Sequence, residues 1–118
     1  MSLEGSWLVE SLAVGGELVP PLAAGKSLTL EVVDGRVSGS AGVNRFMGTL
    51  GSEKPFAQLA TTMMTGPDEL MSQERILLTH FESVDSVETS ESGILLLSDG
   101  LIVVTLIPMG TDDVSAAS

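Results

Sequence analysis

The stretch from Leu28 to Gly48, LTLEVVDGRVSGSAGVNRFMG, carries the clearest structural signals in the chain. Leucine and valine alternate with threonine and glutamate at its start, which is the pattern of a β-strand with one buried face. Asp34 and Gly35 then predict a two-residue hairpin turn, because both tolerate the positive φ of a type I′ turn. The return strand, Arg36 to Ser40, runs into a segment that contains Gly39, Gly42 and Gly48. The stretch therefore predicts a hairpin followed by a sharply bent connection.

Short strands separated by turn residues continue on both sides of this hairpin. They are predicted at Trp7 to Ala13, at Leu18 to Val19 and, as a second hairpin around Asp99-Gly100, at Ile94 to Leu97 and Leu101 to Ile107. The last strand is apolar on both faces. This pattern indicates either a central strand whose outer face is covered, or a strand at an edge or oligomer interface.

One helix is predicted, from about Pro67 to Glu82, and it is expected to be the covering element. Pro67 suits a first helical position, and Thr65 and Asp68 have the spacing of a capping box. The apolar side chains of this segment repeat with helical period, and Glu74 lies near the margin of that stripe. The predicted fold is mainly β: a curled antiparallel sheet or small β-barrel of about seven or eight strands with one α-helix packed on it.

With 118 residues the chain has the length of one domain, which we expect at residues 5–108. Met1 to Glu4 are interpreted as an artificial start from which any natural leader has been removed. Residues 109–118 are interpreted as a flexible acidic tail. No run approaches the roughly 20 apolar residues that a membrane-spanning helix needs.

The charge balance argues against several classes of partner. The sequence contains five Lys and Arg and 16 Asp and Glu. The resulting net charge of -11 repels nucleic acid and anionic lipid surfaces. With one Trp, three Phe and no Tyr, the chain has few aromatic side chains on which bases or sugars could stack. The absence of cysteine excludes disulfides, thiolate nucleophiles and sulfur-ligated zinc. No cofactor and no nucleic-acid partner are therefore predicted.

The sequence also lacks the combinations of residues that are typical of catalytic sites. The only histidine, His80, lies on the predicted helix, where a packing or surface role is far more common than catalysis. The acids are scattered singly, which predicts an acidic surface and no metal site, although any two carboxylates could still meet in space. We therefore predict no enzymatic activity. A distant alternative is an enzyme in which Arg45, Glu74 and His80 converge in one cleft.

Methionines and the glycine-rich segment supply the remaining candidates. Met47, Met63 and Met64 suit either an irregular core or the lining of a pocket for an apolar ligand. Asn44 can bond to nearby backbone groups, Phe46 can anchor the segment, and Arg45 has no evident structural role.

Three segments resemble one known family. GSAGVNRFMGTL is similar to the G-x-x-G-C-N-x-x-x-G-x-Y/L signature of META domains, the family of the bacterial heat-shock protein HslJ. LATTMMTGPDELMSQE resembles its T-x-M-A-C-x-x-x-x-M-x-x-E segment, and GSWLVESL resembles its G-x-W-x-L start. The matching positions are Trp7, Gly39, Gly42, Asn44, Gly48, Thr62, Met64, Met71 and Glu74. Val43 and Gly66 replace the two family cysteines, which fits the joint absence of a cross-link or paired thiols and argues against a redox role.

The resemblance implies a barrel-like domain with one helix, in a family that includes lipoproteins and other envelope proteins linked to heat shock and that has no established reaction. We therefore expect a stress-related, non-enzymatic interaction module for a protein or peptide, with Arg45 and Phe46 as candidate contacts. The alternative is a carrier whose barrel interior, lined by Met47, Met63 and Met64, takes an apolar ligand. The expected location is the bacterial envelope or periplasm, with a cytoplasmic location left open. Glu74 is the expected partner of the bend.

Overall fold

The structure, a computed structural model, describes residues 3–22, 27–51 and 55–109. Most of the tail expected at residues 109–118 thus lies outside the described residues. Nine strands and one helix occur within the described ranges. They are β1 (Gly5–Val14), β2 (Glu17–Val19), β3 (Thr29–Val33), β4 (Arg36–Ser40), β5 (Arg45–Leu50), β6 (Phe56–Thr61), α1 (Asp68–Ser83), β7 (Ser86–Thr89), β8 (Ile94–Ser98) and β9 (Leu101–Pro108).

All the strand pairs are antiparallel, and the sheet has the order β6-β5-β4-β3-β1-β9-β8-β7, with β2 paired to β1 beside this path. The sheet curls into a half-barrel with α1 packed on it. Among the described pairings none joins β6 to β7, so these two strands form its edges. The prediction of a mainly β fold with one packed helix is confirmed.

Both predicted hairpin turns are present. Asp34 and Gly35 have φ values of 52° and 80°, and Asp99 and Gly100 have values of 54° and 81°. Positive φ at both central residues is the condition of a type I′ turn, whose twist matches that of the flanking strands. The turns therefore set the register in which the strands pair.

The last strand, β9, is a central strand, because it pairs with β1 on one side and β8 on the other. The prediction that it offers a free edge is wrong, and its predicted central position is confirmed. The prediction that the helix covers its outer face is wrong. Its inward residues Val104 and Leu106 belong to the same buried cluster as Leu77 of the helix. The helix thus covers the inner face of the sheet, not the outer face of this strand.

The helix is anchored in the core by Phe81, whose ring centroid lies 5.2 Å from those of both Phe46 and Phe56. Its bounds differ from the predicted ones by a single residue at each end. Pro67 holds the N-cap position and no side chain caps the helix, so the predicted capping box between Thr65 and Asp68 is wrong. Acidic side chains in the first turn still favour the positive helix start.

Candidate functional site

The glycine-rich segment forms a tight bend between β4 and β5. At Gly39 an added Cβ would lie 2.1 Å from the carbonyl oxygen of Thr29, so β3 and β4 approach each other more closely than any side chain permits. Gly42 has a φ of +115°, which L side chains rarely adopt. The bend closes where the Ala41 N–H donates to the Asn44 carbonyl at 2.8 Å. The glycines are thus required by backbone geometry.

The side chain of Asn44 is buried in this bend, with 3% of its surface exposed. Its Oδ1 accepts hydrogen bonds from the backbone N–H of Met64 at 2.6 Å and from the hydroxyl of Thr62 at 2.8 Å. Its Nδ2 donates to the carbonyl of Met64 at 3.0 Å and to Oε2 of Glu74 at 2.7 Å. The four bonds use both donors and both lone pairs of the amide.

Glu74 reaches the same bend from α1 and is 5% exposed. Its Oε1 accepts the backbone N–H groups of Val43 at 3.1 Å and Asn44 at 2.7 Å, in addition to the Asn44 amide on Oε2. Burial of a carboxylate is costly unless donors compensate it, and three N–H groups do so here. The prediction that Glu74 pairs with the bend is confirmed.

Thr62 completes the arrangement by tying the segment after β6 to the start of β5. Its hydroxyl accepts the Arg45 N–H at 3.1 Å, and its own N–H donates to the Arg45 carbonyl at 3.0 Å. We call Asn44, Thr62, Met64 and Glu74 the bend network. It joins the bend, the connection after β6 and the helix by hydrogen bonds that span 18 to 30 residues of sequence.

The other positions that match the family signatures lie outside this network. Trp7 donates its Nε1–H to the carbonyl of Leu3 at 2.9 Å, on β1. A Cβ on Gly48 would lie 2.7 Å from the carbonyl oxygen of Ala57, so this glycine allows β5 and β6 to approach. Met71 is half-buried on the helix. The structure thus brings four of the matching residues together in the bend network and places Trp7, Gly48 and Met71 elsewhere.

The two positions that lack the family cysteines are neighbours. A Cβ built on Gly66 would lie 3.6 Å from the Cβ of Val43 and 2.8 Å from its Cγ2. The Cβ separation falls within the range of a disulfide, about 3.5–4.5 Å. Here the valine side chain fills the space that a second side chain at position 66 would need.

Of the two candidate interaction residues, only Arg45 is accessible. Phe46 is 0% exposed and its ring packs against Phe81. Since side chains alternate along β5, Arg45 and Met47 point outward while Phe46 points into the core. The prediction that Phe46 contacts a partner is therefore wrong, and its alternative role as a core anchor is confirmed.

The methionines predicted to line an interior pocket are exposed. Met47, Met63 and Met64 expose 53%, 92% and 52% of their surface. Met47 is on the outer face of β5, and the other two follow β6 in the connection to the helix. The prediction of a methionine-lined interior is wrong, because the inner face is occupied by leucine, valine and phenylalanine side chains.

The residues of the enzyme alternative have separate hydrogen-bond partners among the described residues. The Nε2 of His80 lies 2.7 Å from the carbonyl oxygen of Ala13, whereas the Glu74 carboxylate is bonded within the bend network. No described hydrogen bond links Arg45, Glu74 and His80 to one another. Within residues 3–22, 27–51 and 55–109 no three His, Asp or Glu side chains are grouped as metal ligands. No helix in these ranges is both long and apolar enough to span a membrane.

A half-barrel sheet, one inner helix and the bend network define a small β domain held together at its signature residues. The family model of the META domain matches residues 1–107, and the chain belongs to this family. An NMR structure of a protein from Burkholderia xenovorans has a similar fold, with a TM-score of 0.72 and 22% sequence identity over 91% of this chain and 83% of that one. No curated protein matches the sequence significantly.

Proposed function

We propose that this META domain is a non-enzymatic, stress-related interaction module of the bacterial cell envelope, and that it binds a protein or peptide. Membership of the META family supports the stress-related role and the envelope location, because the resemblance links such domains to heat shock and the envelope. The role of binding is supported by the distribution of buried and exposed side chains around the bend.

The bend network is engaged internally. The amide of Asn44 makes four hydrogen bonds, and the carboxylate of Glu74 accepts three. A general base or nucleophile needs a side chain that can reach a substrate, and these two are buried and bonded to their own chain. Asn44 and Glu74 therefore serve the fold, and we assign the contact with a partner to the exposed side chains around them.

The observation that carries the proposal is a group of exposed side chains at the network, which we call the methionine surface: Arg45, Met47, Met63 and Met64. Met64 takes part in the network through its backbone alone, which leaves its side chain free for this surface. Arg45 and Met47 are on the same outer face of β5, and the backbone of Thr62 pairs with Arg45 directly before Met63. Exposed thioether side chains adapt to irregular apolar partners. Arg45 places a cation next to the exposed methionines, where it can pair with a single acidic group of an otherwise apolar partner.

The test is capture of partners from an envelope extract of the source cells on the immobilised domain, read by quantitative mass spectrometry. Met47→Glu and Met63→Glu place a charge on the methionine surface. Leu101→Glu makes the same kind of change at a residue that is 71% exposed on β9, four strands away from β5 in the sheet. We expect a protein that the unmodified domain and Leu101→Glu both enrich, and that the two methionine variants lose.

Two results would count against this proposal. Equal capture by all four proteins would remove the methionine surface from the interaction. Turnover of a substrate by the domain, abolished by a change in a side chain that touches it, would replace the binding role with an enzymatic one. Fractionation of source cells with an antibody tests the setting independently, since recovery only from the cytosol contradicts an envelope location.

A further inference from the structure

The strand β6 forms one edge of the sheet, so one of its sides has no partner strand among the described residues. Directly after the strand, the Thr62 N–H donates to the Arg45 carbonyl at 3.0 Å, so the backbone of Thr62 faces β5. Phe46 and Thr61 are the next pair of this register, and hydrogen-bonded pairs alternate with non-hydrogen-bonded pairs in an antiparallel ladder. The N–H and carbonyl of Thr61 therefore face away from β5, toward the unpaired side.

The same alternation continues beyond the end of β6. The side-chain amide of Asn44 bonds to both the N–H and the carbonyl of Met64, as a neighbouring strand would. The backbone of Met64 thus faces the bend, as that of Thr62 faces β5. Successive residues of an extended chain turn their backbone groups to opposite sides, so those of Met63 face the same unpaired side as those of Thr61.

A β-bulge limits the unpaired side at its other end. Gln58 and Leu59 together stand opposite Gly48, and the φ of Gln58 is 55°. The regular ladder resumes where Ala60 pairs with Met47, so the carbonyl of Leu59 faces away from β5. Three residues thus present backbone groups to the unpaired side, and we call them the β6 edge: Leu59, Thr61 and Met63.

The side chains of the β6 edge are uncharged and share one face. Leu59 packs against the buried core, and Thr61 pairs with Phe46, which points inward. Since side chains alternate along an extended chain, Met63 falls on the same face as Thr61. Met63 is 92% exposed, more than any other large apolar side chain of the described residues. Its own chain therefore covers little of it.

Charge distinguishes the two edges of the sheet as contacts between copies of this chain. Residues 55–67 contain no charged side chain, although the whole chain has a net charge of -11. Two copies of so acidic a chain repel each other unless their contact leaves out the acidic groups. The other edge strand, β7, has only four residues and includes the exposed Glu88, and a charge on a short edge strand opposes pairing. A second copy is therefore favoured at the β6 edge.

We propose that two copies of the chain pair antiparallel along the β6 edge and join their sheets. With Thr61 on the two-fold axis, the two Thr61 residues exchange two backbone hydrogen bonds. The Met63 N–H of each copy donates to the Leu59 carbonyl of the other, and the Met63 side chain covers that leucine. The pairing goes beyond the proposed function and does not depend on it. Met63 then belongs to both contacts, whereas Arg45 and Met47 stay on the outer face.

The test is sedimentation velocity of the full-length protein over a wide range of concentration. A strand pair of this length buries less surface than a standard interface, so we expect a reversible dimer with a dissociation constant of about 100 µM. The mass should rise from one chain to two as the concentration passes this value. In ¹⁵N amide spectra over the same range, the signals of the β6 edge should shift, whereas that of Thr89 on β7 should not.

Thr61→Pro removes the N–H that the pairing uses and no bond within the chain. Proline is tolerated in an edge strand where its nitrogen faces outward. Thr89→Pro is the matched control on the other edge, because the Ser90 N–H donates to the Gly93 carbonyl and the Thr89 N–H consequently faces away from β8. We expect Thr61→Pro to weaken the dimer at least about tenfold, and Thr89→Pro to leave its dissociation constant unchanged.

A second pair of variants leaves the backbone as it is. Met63→Glu adds an acidic group to the contact and should also weaken the dimer at least about tenfold. Met47→Glu makes the same change on the outer face of β5, outside the β6 edge, and should dimerise as the unmodified protein does. Thermal unfolding at low concentration checks that each variant is folded.

Three results would overturn the proposal. They are a protein that stays monomeric over the whole range, variants Thr61→Pro and Met63→Glu that dimerise as the unmodified protein does, and a dimer whose amide shifts lie outside the β6 edge. A fourth is saturable binding of the strand peptide acetyl-Leu-Ala-Thr-Thr-Met-amide to a protein that stays monomeric, which would assign the edge to other chains. A monomeric protein that captures its partner overturns only the pairing, and a dimer that captures none overturns only the proposed function.

Discussion

Glu74 and Asn44 are joined by two hydrogen bonds of 2.7 Å, one from the Asn44 backbone N–H to Oε1 and one from its Nδ2 to Oε2. The two residues are 30 positions apart, and both are more than nine-tenths buried. The carboxylate thus holds the helix to the bend through both oxygens. This pair explains why a helix with a buried charge still packs on an apolar sheet face.

Asn44→Ala should destabilise the domain strongly. The change removes four side-chain hydrogen bonds and leaves the Met64 backbone groups and one Glu74 oxygen without their partner. We expect a loss of about 3 kcal/mol or more in the free energy of unfolding, measured with denaturant. Arg45→Ala, at the next and exposed position, should change it by less than about 0.5 kcal/mol. Similar values for the two variants would contradict the role of the network.

Gly39→Ala tests the close approach of β3 and β4. The added Cβ would lie 2.1 Å from the Thr29 carbonyl oxygen, and this obstacle is backbone that cannot rotate away. Separation of the strands should cost about 3 kcal/mol in the free energy of unfolding. Ser38→Ala on the same strand serves as the control and should be close to neutral. A stable Gly39→Ala protein would show that the bend tolerates a side chain there.

Val43→Cys combined with Gly66→Cys should form a disulfide under oxidising conditions. The Cβ separation of 3.6 Å suits the bond, and loss of the valine methyl groups removes the 2.8 Å contact. Intact mass should fall by the two thiol hydrogens, and the oxidised form should be about 2–4 kcal/mol more stable than the reduced form. Gly66→Cys alone should be destabilised, because Val43 stays in the way. A double variant that remains reduced contradicts the geometry.

Truncation of an exposed methionine should leave the stability of the domain almost unchanged, whereas truncation of a buried phenylalanine should lower it strongly. Met63 is 92% exposed and Phe81 is 0% exposed. Met63→Ser should leave the free energy of unfolding within about 0.5 kcal/mol, whereas Phe81→Ala should lower it by about 3–5 kcal/mol. Thermal or denaturant unfolding of the two variants checks both values. A large loss in the free energy of unfolding of Met63→Ser would contradict the exposed position of this methionine.

Local patterns in the sequence were enough to predict most of the sheet. The Asp34-Gly35 and Asp99-Gly100 turns, the alternation from Leu28 to Val32 and the helix after Pro67 all depend on short-range chemistry. Outward and inward positions were harder to predict for the methionines, because an apolar side chain is compatible with either face of a strand. Met47 is exposed because its neighbour Phe46 takes the inward position.

The bend network depends on contacts across 18 to 30 residues, which no local pattern shows. The sequence-based prediction placed Glu74 near the margin of the apolar stripe, whereas the structure buries it with the apolar residues of the helix. Only its pairing with Asn44 makes burial possible. The signal that pointed to this pair was the family motif that contains both residues.

A double-mutant cycle on Asn44 and Glu74 tests most directly whether the signature residues hold the helix to the bend. Glu74→Gln alone turns an N–H toward Nδ2 of Asn44, and Asn44→Asp alone sets two carboxylates against each other. Together the variants restore a donor opposite an acceptor. We predict that each single change destabilises the domain and that the double variant is more stable than the sum of the two by at least about 1 kcal/mol. Additive losses, or single variants as stable as the unmodified protein, would contradict the account.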